Sequence, residues 1–154
     1  MSSVKTALLT GSQAIANFDL SKIFIFNNRF TTEKIINSEY DPMTLLAGTV
    51  MGRIQGDANG TEGRGTVWPS IKTATDGSQF PIGILAADCI INDGDSLEVP
   101  ICNSGDVSET KIIMWNAPTD KLTGLVSGIS IFDRLQGLGL KIMPTNENTY
   151  PDNQ

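Results

Sequence analysis

Short runs of strand-forming residues separated by turn signals dominate the hydrophobic pattern of this chain. The clearest run follows Asp76-Gly77, where residues 82–86 form the most apolar segment of the sequence. Residues 96–102 alternate between polar and apolar side chains, as a half-buried strand does. Because such runs recur at short intervals between turns, the pattern predicts a small barrel or sandwich.

Several weaker runs extend the same prediction. Pro69 has no N–H to donate, so its strand is placed at a sheet edge. Asn27-Asn28 predicts a two-residue hairpin turn, since Asn tolerates positive φ, and residues 92–95 and 103–106 predict further turns. The segment 55–66 contains four glycines and is expected to be a surface loop. The further predicted strands are residues 22–26, 29–32, 49–54, 67–72, 111–115 and 140–143.

One segment near the C-terminus has helical rather than strand periodicity. Ile129, Phe132 and Leu135 recur at the spacing of one helix face. Ser127 or Ser130 is suited to begin this helix, and Gly137 or Gly139 to end it. The predicted fold class is therefore mainly β with one short helix, a small β-barrel or sandwich-like body with an extended N-terminal arm.

Composition divides the chain into three regions. Residues 1–39 are predicted to form an N-terminal arm, residues 40–144 a β-rich body, and residues 145–154 a polar tail. The first 21 residues are small and polar with weak periodicity, which is typical of a flexible or partner-ordered segment. Polar residues 10–13 interrupt the apolar run that a signal peptide needs, so we expect the chain to be made in the cytoplasm of a cell.

Charge and residue usage narrow the classes of function. A formal charge of −6, with 11 Lys and Arg in no basic run, argues against nucleic acid as a partner. The apolar runs are far shorter than the roughly 20 residues of a membrane span. The sequence has no histidine, which removes the commonest general base, so we expect a protein that is not an enzyme and uses no cofactor.

Other residues with candidate chemistry have simpler structural interpretations. Asp76 and Asp93 each precede a glycine where a turn favours both residues, and the acidic segment from Asp93 to Glu98 fails the pattern of a calcium loop. Cys89 and Cys102 are expected to be buried thiols, with a disulfide as the alternative.

Aromatic residues mark two candidate binding regions. Trp68 and Trp115 are expected in the core or in a subunit contact; if both faced solvent, they would suit a carbohydrate-binding surface. The second region is a dense apolar segment that either folds back on the body or docks another chain by strand addition. Its candidate partner-binding residues are Ile23, Phe24, Ile25, Phe26, Arg29 and Phe30.

An ordered set of motifs resembles one family. Residues 47–54 (Ala-Gly-Thr-Val-Met-Gly-Arg-Ile), residues 76–79 (Asp-Gly-Ser-Gln) and residues 81–86 followed by Asp88 are similar to the lambda-type head decoration proteins of tailed bacteriophages. Later elements agree in order, so the resemblance covers roughly residues 44–143. The long aromatic N-terminal region and the polar tail depart from the family pattern.

The resemblance implies a non-enzymatic virion protein on the outer surface of an icosahedral head. Such a protein binds the major capsid protein through its N-terminal arm, usually as a homotrimer, and stabilises the expanded capsid by bridging subunits. The alternatives are the base of a head fibre, which would use the same body as an adaptor, and a carbohydrate-binding β module.

Overall fold

The computed structural model describes most of the chain between residues 16 and 143. The described residues are 16–18 (backbone only), 23–39, 41–56, 59–60, 63–115, 122 and 124–143. The predicted tail and most of residues 1–22 lie outside them. The strands are β1 Ala16–Phe18, β2 Phe24–Ile36, β3 Met43–Leu45, β4 Val50–Arg53, β5 Val67–Pro69, β6 Pro81–Leu85, β7 Ala87–Ile91, β8 Ser96–Ser108, β9 Leu125–Val126, β10 Ile129–Ser130 and β11 Leu140–Met143; helix α1 is Ile131–Leu138, and Glu109–Lys111 form a 3-10 turn.

Strand β8 organises the larger of two main sheets. Along one side it pairs antiparallel with β2 over nearly its full length. Along the other side it pairs first with β6 and then, in parallel, with β11. The sheet continues from β6 through β4 to β5, while β1, β7 and β3 form a separate three-stranded antiparallel sheet.

Alternating side chains of the central strands enter two different hydrophobic clusters. Met51, Leu85 and Ile101 pack with residues of β3 and β7, in the space between the two sheets. Their chain neighbours Val50, Ile84 and Cys102 pack on the opposite face, in the cluster that includes helix α1. Burial on both faces explains why residues 82–86 are so apolar, and the mainly β, sandwich-like fold class is confirmed.

Helix α1 begins and ends at residues that the sequence proposed. The Ser130 hydroxyl accepts a hydrogen bond from the backbone N–H of Asp133 at 3.1 Å. Gly139 ends the helix with φ of 109°, a left-handed conformation that glycine adopts without strain. Strand β11 follows the helix directly, as predicted. Strand β5 lies at the edge of its sheet, which was predicted because Pro69 has no N–H to donate.

Three local predictions are wrong. The hairpin at Asn27-Asn28 does not form, because Asn27 (φ 55°) lies within a bulge of the continuous strand β2. The turn at residues 103–106 is absent, since β8 continues through Gly105, whose φ of 108° absorbs the local distortion. Residues 111–115 are not a strand and contribute one bridge, between Ile113 and Thr49.

The sequence predicted a separate N-terminal arm, but the described part of this segment pairs with strands of the β body. Strand β1 pairs with residues 87–89 of β7, and β2 pairs with β8 of the same chain. Ile35 is fully buried between the sheets. The boundary at residues 39 and 40 therefore does not separate two structural units, and residues 24–36 belong to the β body.

An ion cluster joins β2 to the far side of the same sheet. The Glu33 carboxylate, almost fully buried, lies 3.1 Å from Arg53 Nη1 and 3.3 Å from Arg64 Nη2. Arg53 Nη1 also donates to the carbonyl of Gly65 at 2.8 Å. The cluster connects β2 with β4 and with the segment before β5. Sequence reasoning missed it, because its members lie far apart along the chain.

Candidate docking surface

The six candidate partner-binding residues do not share one environment. Ile23 and Phe24 are buried in the cluster beside helix α1 and leave little surface for a partner, so their role as partner contacts stays a prediction. The others, Ile25, Phe26, Arg29 and Phe30, are exposed, and Phe26 leaves 69% of its surface open to solvent. The exposed apolar side chains Ile25, Phe26 and Phe30 are called the β2 patch below.

The backbone of β2 is bulged where it carries the β2 patch. Register shifts interrupt the pairing of β2 with β8 between Phe24 and Phe30. In this stretch the Asn28 side chain donates to the carbonyl of Asp106 at 3.0 Å, which adds a side-chain tie between the two strands. Gly105 is required opposite the bulge, since a Cβ atom there would lie 2.6 Å from the Cα atom of Asn28.

The patch rests on a buried aromatic anchor. The rings of Phe24 and Phe30 meet edge to face, with their centroids 5.5 Å apart and their planes at 79°. This geometry favours aromatic pairs beyond the area they bury. The Phe30 ring is therefore held in place at the surface, which lowers the entropic cost of ordering it in a complex.

The other edge of β2 is open in the described part of the chain, where β8 is its one strand partner. Bulges and charged residues such as Arg29 protect an edge strand against uncontrolled pairing. The irregular stretch before Phe30 therefore suits docking by side chains, whereas the regular stretch from Phe30 onward keeps ladder geometry.

The two tryptophans pack against the same hydrophobic cluster. Trp68 and Trp115 are half-buried, and both pack against the cluster between the sheets. Trp68 lies in β5, while Trp115 follows the 3-10 turn. Their packing favours the core part of the sequence prediction, and the subunit-contact part stays a prediction.

Both cysteines are free, buried thiols. Burial, with a smaller effect of the nearby Asp88 charge, raises the pKa of Cys89 to about 12. Burial also raises the pKa of Cys102, although hydrogen bonds from Asn28 and from the backbone oppose the change. Both thiols are therefore protonated and unreactive at neutral pH.

We expect iodoacetamide at about pH 8 to label neither Cys89 nor Cys102 in the native protein, and both after unfolding in urea. The physical reason is that the thiolate is the nucleophile and that burial keeps both groups protonated. Intact-mass spectrometry over time measures the labelling. Native labelling at the rate seen in urea would contradict the buried position of these strands.

Within the described ranges, no three His, Cys, Asp or Glu side chains gather to hold a metal ion. No helix in the part of the chain that the structure describes is long and apolar enough to cross a membrane. Comparison with protein-family models, with curated proteins and with solved structures finds no match.

Proposed function

We propose that this chain is a non-enzymatic virion protein that binds the outside of an icosahedral phage head through the β2 patch. The single observation that carries the proposal is the exposure of Ile25, Phe26 and Phe30 on an edge strand. Clustered, exposed apolar side chains typically mark a protein contact. The family that the motif order resembles implies that the partner is the major capsid protein and that the protein is a homotrimer.

Binding of this kind stabilises a capsid without catalysis. A protein that binds the expanded shell, and not the immature one, shifts the equilibrium towards expansion by mass action. Apolar contacts contribute about 25 cal/mol for each Å² removed from water. A trimer that contacts several capsid subunits gains further affinity through multivalency.

The test is co-sedimentation of the protein with expanded heads of the phage that encodes it. We expect the parent protein to pellet at many copies per head and Phe26→Ser to bind about tenfold more weakly, since Phe26 is the most exposed member of the patch. The melting temperature of Phe26→Ser should change by less than about 2 °C, because substitutions at exposed positions rarely alter stability.

Leu125→Ser is the matched control. Leu125 is 61% exposed, but it lies on β9, which pairs with β10 and not with β2. Head binding by this variant should equal that of the parent protein. If the parent stayed in the supernatant, the capsid would be excluded as partner. Equal losses for the Phe26 and Leu125 variants would instead contradict the β2 patch as the binding surface.

A further inference from the structure

A second surface, away from the β2 patch, contains a cavity of about 240 Å³. It opens where Ile36 at the end of β2 and Ile54 after β4 approach Trp68 on β5. Its volume corresponds to roughly eight water molecules at about 30 Å³ each, which is room for one long side chain. The described residues that line it are Ile36, Ser38, Glu39, Ile54, Asn59, Thr66, Trp68 and Asp76.

The lining is divided by chemistry. Ile36, Ile54 and Trp68 supply an apolar wall, and each is half-buried. Glu39 and Asp76 supply two exposed carboxylates. Among the described lining residues there is no Lys or Arg. The nearby Arg53 and Arg64 are engaged with Glu33.

Buried hydrogen bonds fix the backbone at Glu39. The side chain of the fully buried Asn37 donates to the carbonyl of Ile91 at 2.7 Å and accepts from the N–H of Glu39 at 3.2 Å. The main chain of Asn37 is held in turn, since it donates to Asp95 at 2.9 Å and accepts from Gly94 at 2.7 Å. The backbone that carries the Glu39 side chain at the rim of the cavity is therefore rigid.

Hydrogen bonds also fix the side chain of Asp76 within the turn that it begins. Its Oδ1 atom accepts from the backbone N–H of Ser78 at 3.0 Å and from the Ser78 hydroxyl at 2.6 Å. Burial raises the pKa of this carboxyl, but the Ser78 hydrogen bonds outweigh that effect, and the pKa lies below its ordinary 3.8. Asp76 is therefore negatively charged at neutral pH, and both Ser78 bonds use the same oxygen.

We infer that this cavity receives an arginine or lysine side chain of a partner protein. The aliphatic stem of such a side chain would lie along the wall formed by Ile36, Ile54 and Trp68, as these stems do on apolar surfaces. Its cationic head would reach the two carboxylates at the rim, and Trp68 would add a cation–π contribution. The net charge of −6 favours approach of a basic partner. A saccharide is the competing ligand, but two carboxylates with no Lys or Arg among the described lining residues favour the cation.

The test uses N-acetyl-L-arginine amide and N-acetyl-L-lysine amide as model side chains. N-acetyl-L-citrulline amide, a neutral near-isostere of the arginine compound, is the control ligand. Binding is followed by the indole N–H resonance of Trp68 in NMR spectra, assigned by its loss in Trp68→Phe. We expect a saturable shift in the millimolar range with both cationic compounds, none with the citrulline compound, and weaker binding at high salt.

Two variants locate the site, and a third controls for the loss of a charge. Glu39→Gln and Asp76→Asn should each weaken binding about threefold, since exposed ion pairs contribute modestly. Asparagine keeps the turn chemistry of Asp76. Asp93→Asn, in the other Asp-Gly turn and outside the described lining, should leave binding unchanged.

Three outcomes would overturn the inference. Equal shifts with the arginine and citrulline compounds would remove the role of charge. Shifts produced by monosaccharides and not by the arginine compound would assign the cavity to glycans. Spermidine binding more tightly than both amino-acid derivatives would assign it to free polyamines. None of these experiments uses phage heads, so a failure here leaves the proposed capsid binding standing.

Discussion

Ile84→Asp is expected to unfold the protein. Ile84 is fully buried on β6 and packs in the cluster shared with helix α1. The substitution removes a large apolar side chain and places an unpaired charge where no water can reach it. We expect a loss of more than about 4 kcal/mol, a large part of the roughly 5–15 kcal/mol by which such domains are stable. Far-UV circular dichroism during urea titration measures the effect.

Ile90→Asp provides the comparison, since Ile90 is exposed on β7, the next strand along the chain. It should change the free energy of unfolding by less than about 1 kcal/mol. Because Ile84→Asp is expected not to fold, Ile84→Val gives a second measurement, with an expected loss of about 1 kcal/mol. If Ile84→Asp were as stable as the parent protein, the placement of β6 between two clusters would be wrong.

The second large effect is expected at Glu33. Glu33→Gln keeps the shape of the side chain but leaves the Arg53 guanidinium, whose side chain is 15% exposed, without its carboxylate. Breaking a buried ion pair from one side typically costs about 3–5 kcal/mol. We expect about 3 kcal/mol, because Arg53 retains some solvent contact and its hydrogen bond to the Gly65 carbonyl. Urea unfolding measures this loss.

Two further variants separate the ion pair from general damage to the strand. Arg64→Gln should cost only about 0.5 kcal/mol, because the Arg64 side chain is 48% exposed. The double variant Glu33→Gln/Arg53→Gln should be more stable than Glu33→Gln alone, since it removes the unpaired charge. If the double variant were no more stable than Glu33→Gln alone, an unpaired Arg53 charge would not be the cause of the loss.

The sequence correctly predicted those elements that are determined by residues close to one another in the chain. The helix near Leu135 was found because its apolar spacing and its capping residues lie within a few positions of one another. The edge position of β5 followed from one missing N–H group, that of Pro69. The apolar run at residues 82–86 identified β6 because both of its faces are buried.

Long-range pairing accounts for the errors. Asn27-Asn28 and residues 103–106 both have turn composition, yet they meet each other across β2 and β8 and become irregular strand segments. Neither segment alone shows that the other is its partner. The same limit applies to the candidate site: the apolar character of residues 23–30 was evident, but which side chains face solvent depends on the bulge.

The pairing of β2 with β8 also sets the order of events during synthesis. Phe30 pairs with Cys102, so 72 residues must be added after β2 is made before its partner at that position exists. At roughly 5–20 residues per second, this interval lasts about 4–14 s. During that time an aromatic strand without its native partner is exposed to other nascent chains. The rate of translation between the two strands therefore influences how much of the protein reaches its native fold.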